Sequence, residues 1–144
     1  MKDYRELKVW HKAHAVALAS YRLTKKFPRE ELYGITSQIR RSAASVAANI
    51  AEGCGRSGNA ELNRFLQISA GSASELDYHF LLARDLGILP PEEHKQIAAE
   101  ILHLRRMLTA LITKISDDVA VPKTKAAGAK DSLQTANCKL QRTC

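Results

Sequence analysis

The stretch from Gln38 to Glu75 reads QIRRSAASVAANIAEGCGRSGNAELNRFLQISAGSASE. It predicts two helices folded back on each other around Gly53-Cys54-Gly55-Arg56-Ser57-Gly58. On the first, Ile35, Ile39, Ala43, Val46 and Ile50 recur in steps of three and four, the period of an apolar stripe on an α-helix. Beside that stripe runs a polar row of Gln38, Arg41, Ser45, Asn49 and Glu52. An ordinary solvated face is the competing reading of such a row. Its flanks, however, are Ala43, Ala44, Ala47, Ala48 and Ala51, small enough for another backbone to come close. A covered row needs a hydrogen-bond partner for every group. Gly53 and Gly55 suit a helix C-cap and a sharp reversal, after which Ser57 or Asn59 can cap the next helix. Antiparallel pairing across the turn brings the row near Ser72 and Glu75, and so predicts a charge-assisted Arg41–Glu75 pair. Such a pair fits register and specificity better than catalysis.

The rest of the chain extends this pattern outward. A first helix is expected from about Arg5 to Lys26, with Leu7, Trp10, His14, Ala17, Tyr21 and Thr24 marking one face, and Pro28 ends it. Glu30 and Glu31 then stand at the start of the second helix, where acids favour the dipole. The third is expected from Asn59 to Leu86. Leu62, Leu66, Ser69, Ala73, Leu76, Phe80 and Ala83 form one row, and Phe65, Ile68, Ser72, Glu75 and His79 a second. Two usable faces suit a bundle member that touches its sister helices on one side and another subunit on the other. Gly71 amid small residues predicts a close helix crossing there. The fourth helix is expected over Pro91–Ser116, where Ile97, Ile101, Leu104, Leu108, Leu111 and Ile115 alternate steps of four and three. That heptad-like seam supports left-handed bundle packing. The fold class is therefore all-α: an up-down antiparallel four-helix bundle over 1–116, with a disordered C-terminal tail over 117–144 that lacks aromatic residues and periodicity.

Composition narrows the function classes. The 144 residues carry 22 Lys and Arg against 15 Asp and Glu, a formal +7. The start MKDYRELKVWHKAH has no apolar core of a secretory signal, and no uncharged run is long enough to span a bilayer. Cys54, Cys138 and Cys144 follow no metal spacing and read as free thiols in a reducing cytoplasm. His11 and His14 have no third ligand nearby, and the Glu-x-x-His of Glu100 and His103 has no second copy, so neither a metal nor a cofactor is expected.

Three motifs in order carry a family resemblance. They are Leu7-Lys8-Val9-Trp10, then Phe27-Pro28-x-Glu30 with Tyr33-Gly34, then QIRRSAASVAANIAEGCGR followed by FLQISAGSASEL. Together they resemble the four-helix bundle proteins met as reading frames inside 23S rRNA intervening sequences. The accessory variability protein of diversity-generating retroelements is similar in fold. The resemblance spans roughly residues 4–115. It implies a homo-oligomer, commonly a homopentameric barrel, with no known enzymatic activity. From the retroelement relatives it also implies nucleic acid and a reverse transcriptase as partners.

The candidate nucleic-acid-binding residues are Arg22, Lys25, Lys26, Arg40, Arg56, Arg64, Arg105 and Arg106, with Arg29 beside them. Such a basic surface attracts phosphates without reading sequence, and a ring multiplies it. Two other readings stand beside this one. In the first, the chain is a protein-interaction scaffold, such as an accessory subunit of a reverse transcriptase, and its charge is incidental. In the second, it is an enzyme with Arg41, Asn49, Glu52 and Glu75 as a polar site, although no nucleophile or histidine stands adjacent to define a reaction.

Overall fold

A computed structural model of the protein describes residues 2–120. Cys138, Cys144 and the expected tail beyond Ala120 lie outside the described residues. Four helices are present: α1 (Lys8–Thr24), α2 (Ile35–Gly55), α3 (Asn59–Asp85) and α4 (Pro91–Ala120). Short 3-10 turns at Tyr4–Glu6 and Arg29–Glu31 precede α1 and α2. Each helix packs against its neighbours in sequence and α1 closes on α4, which is the up-down bundle. The longest seam joins α2 to α3, the two helices of the central stretch.

The core follows the expected stripes on three helices. Ile39, Val46 and Ile50 of α2, Leu66, Leu76 and Phe80 of α3, and Ile101, Leu104 and Leu108 of α4 are fully buried. Removing one of these side chains down to alanine costs about 2–5 kcal/mol in comparable cores. Most of the buried hydroxyls are satisfied locally or across the seam, whereas Thr36 Oγ1 on α2 is buried without a hydrogen-bond partner among the described residues. Ser69 of α3 donates to the Val46 carbonyl of α2 at 2.9 Å, and Ser20 and Thr24 donate back to carbonyls within α1.

Four expectations need correction. The buried line of α1 is Val9, Ala13, Val16, Ser20 and Thr24. The row with Trp10, His14, Ala17 and Tyr21 lies beside that line, where Tyr21 meets Arg40 of α2. Large rings with a polar edge settle at a rim, while small and β-branched residues fill the closest approach. The chain reversal is also displaced. Gly53 and Gly55 remain inside α2, and the residue with positive φ is Gly58 (φ 88°), which itself precedes α3 without a side-chain cap from Ser57 or Asn59. Gly53 is buried for a different reason: a Cβ there would meet the Phe65 Cβ at 2.8 Å, so α2 and α3 come close at this point. Gly71 has open space around it instead of the expected close crossing. At the far end α4 runs past Ser116 to Ala120, so Asp117 and Asp118 are helical.

Candidate nucleic-acid interface

Consider first the polar row on α2. Arg41 donates to Gln38 Oε1 at 2.9 Å and pairs with Glu75 of α3. His79 Nε2 lies 3.2 Å from the same carboxylate. One turn further along, the Ser45 and Ser72 hydroxyls meet at 2.9 Å, and Asn49 donates to the Ser45 carbonyl at 2.8 Å. Glu52 stands apart and binds Arg56 at 2.8 Å. The row therefore forms two hydrogen-bonded clusters across the α2–α3 seam, with Glu52 outside both. It is not buried: the Arg41 side chain is 54% exposed and that of Glu75 38%. The His79 ring, and then the Arg41 guanidinium, hold the Glu75 carboxyl below its ordinary value. That favours a carboxylate and works against a general acid.

The basic residues divide sharply by surroundings. Arg56 pairs with Glu52 and Arg64 with Glu61, and their guanidinium groups flank the Phe65 ring at 5.2 and 4.5 Å. Arg105 approaches Asp77 at 3.8 Å, and Lys26 binds Glu93 at 3.2 Å across the α1–α4 seam. Lys12 is likewise taken by Glu100. Arg22, Lys25, Arg29 and Arg106 make no ion pair among the described residues. Arg40 donates to Thr24 Oγ1 at 2.9 Å, and its guanidinium lies 4.9 Å above the centre of the Tyr21 ring. Adjacent helical residues point about 100° apart, which is why Arg40 reaches α1 while Arg41 reaches α3.

This division follows the helices. From Leu7 to Arg29 and again from Leu32 to Ala51 there is no Asp or Glu, so Glu52 is the only carboxylate on α1 or α2. By contrast, α3 and α4 together hold nine acids against six Lys and Arg. The bundle is thus electrically two-sided. Its α1–α2 side is positive, and Arg105 and Arg106 of α4 stand on the acid-rich side.

Aromatic rings follow the positive side. Tyr4 and Trp10 pack at 4.8 Å, and the His14 imidazole stacks nearly parallel on Trp10 at 5.1 Å and 8°. His11 meets the Trp10 edge at 5.2 Å, and its Nε2 lies 2.6 Å from the Arg5 carbonyl. Sequence reading missed this clustering. The spacing of Trp10, His14 and Tyr21 placed them in one row, but only the structure puts Arg40 over Tyr21. Cys54 is buried, and burial pushes its thiol up, away from the reactive thiolate.

A four-helix bundle with one carboxylate-poor, aromatic-lined side is the class that fold and surface define. The model of the 23S rRNA-intervening sequence protein matches residues 5–110, and the chain belongs to that family. A crystal structure of a protein of unknown function from the S23 ribosomal protein family of Bacteroides thetaiotaomicron VPI-5482 has a similar fold. The TM-score is 0.69 at 24% identity, over 73% of this chain and 95% of that one. No curated protein matches this chain. Among the described residues, no helix is long and apolar enough to cross a membrane.

Proposed function

We propose that this protein is a non-catalytic, cytoplasmic, homo-oligomeric bundle, pentameric as the family resemblance implies, that binds nucleic acid through the outer face of α1 and α2. The observation that carries the reading is the scarcity of carboxylates on α1 and α2, Glu52 alone, beside a surface where Lys25 makes no ion pair among the described residues and Arg40 is held over Tyr21. Arg22 also makes none, but lines the α1–α4 groove with Glu93 and Glu100. Backbone phosphates would meet Lys25 and Arg40 there without first displacing an ion-paired acid. Arg56, Arg64 and Arg105 contribute less, since each already faces a carboxylate.

Self-association fits the outer face of α3. Ile68, Tyr78 and Leu81 are exposed there, and Gly71 leaves room for a close approach. The polar strip beside it supplies hydrogen-bonding groups that fix register. Arg41, Asn49, Glu52 and Glu75 do not line the groove of about 760 Å³ between α1 and α4.

Light scattering after size exclusion, at low and moderate salt with and without a mixed-sequence RNA, tests the proposal. A pentamer that carries RNA and releases it as salt rises is expected. A pentamer indifferent to RNA would instead favour a protein-interaction scaffold, and a monomer would remove the ring.

A further inference from the structure

We infer that the α1–α2 face takes single-stranded nucleic acid, with unpaired bases stacking on the ring systems of α1 while Arg22, Lys25 and Arg40 hold the backbone. This rests on the nucleic-acid reading above and goes beyond it by naming the strand state. Charge alone would serve a duplex equally well, because phosphates are displayed by both forms. The rings are what distinguish them.

Three features point to stacking. The Trp10–His14 stack, with Tyr4 tilted against the indole, ends on His14, an exposed imidazole that lies parallel to the indole beneath it. Tyr21 is 44% exposed. The Arg40 guanidinium over Tyr21 presents a second planar surface on which a base can stack. His14 and Tyr21 are seven residues apart on one helix, about 10 Å along its axis. That is roughly three base steps at the 3.4 Å spacing of a stacked strand. Lys25 follows Tyr21 by one helical turn, so cations and rings alternate along the same edge. A cationic track interleaved with stacking rings is how sequence-tolerant single-strand binders work. A duplex shows ring faces only at its ends, so it would gain the charge term alone.

Trp10 is the only tryptophan in the chain and gives a direct optical readout. The experiment titrates the full-length protein with U20, dT20 and a 20-base-pair mixed-sequence duplex at low salt, reading anisotropy of the labelled strand and Trp10 emission. Either single strand should bind at least tenfold more tightly than the duplex and change the Trp10 emission. A sugar preference between U20 and dT20 would show which polymer is taken, leaving the stacking inference in place. His14→Ala with Tyr21→Ala should lower single-strand affinity by about tenfold or more and duplex affinity by much less, with the salt slope little changed because the cations remain. Both side chains are exposed, and circular dichroism checks that the variant remains folded.

Equal affinity for duplex and single strand, silent Trp10 emission, or wild-type single-strand binding by the double variant would each overturn the stacking platform while leaving the electrostatic surface standing. No binding of any of the three probes at low salt would overturn both.

Discussion

Arg41 of α2 and Glu75 of α3, thirty-four residues apart, form an ion pair across the longest seam of the bundle, and both side chains remain well exposed. Exposed pairs stabilise by about 0–1 kcal/mol. Arg41→Ala is therefore expected to lower stability by less than about 1 kcal/mol, as read by denaturant melting. If the ring covers this strip, the same variant should also shift the assembly toward smaller species in light scattering. A loss of several kcal/mol in the monomer would mean that the strip is buried after all.

Acid should reveal the same site. His79 and then Arg41 hold the Glu75 carboxyl below its ordinary 4.5, so its charged form is favoured in the folded state. A depressed acid contributes stability above its unfolded pKa and loses it as pH falls through the folded value. Because Glu75 is more than a third exposed, the effect is expected to stay within about 0.5 kcal/mol. Glu75→Gln should flatten the decline in melting temperature below about pH 4.5, with little change at pH 7. An unaltered acid limb would show that the pair does not persist in solution.

The two helical glycines should respond in opposite directions. Gly53→Ala places a Cβ 2.8 Å from the Phe65 Cβ and 3.1 Å from Leu62 Cδ1, so α2 and α3 must move apart. A cost of about 1–3 kcal/mol is expected. Gly71→Ala meets nothing within 4 Å and should stabilise the monomer by roughly 0.5–1 kcal/mol through helix propensity. If α3 forms the ring contact at Gly71, that same change should weaken assembly. Chemical denaturation at low protein concentration separates the two effects.

Much of the fold was legible because period and burial agree. The α4 seam from Ile97 to Ile115 and the α3 row from Leu62 to Ala83 both face inward, and the Arg41–Glu75 pair follows from antiparallel pairing. On α1 the period was right but the phase was wrong, because Trp10 and Tyr21 resemble core residues in hydropathy yet sit on a rim. The turn was misplaced because Gly53, Gly55 and Gly58 look alike in sequence, whereas only packing shows which one approaches Phe65 and which one takes positive φ. The proposed interface was half legible. A net charge of +7 names no face, and the partition between α1–α2 and α3–α4 becomes meaningful only once the helices have neighbours.

That partition is most directly tested by the salt dependence of RNA affinity in two charge-reversed variants. Arg22→Glu with Lys25→Glu should weaken binding severalfold and lower the slope of log affinity against log salt by about 2, one unit for each lost phosphate contact. Arg105→Glu with Arg106→Glu, on the acid-rich side, should leave both affinity and slope close to wild type. The reverse result, with binding lost on α4 and retained on α1, would contradict the assignment of the nucleic-acid surface to the α1–α2 face.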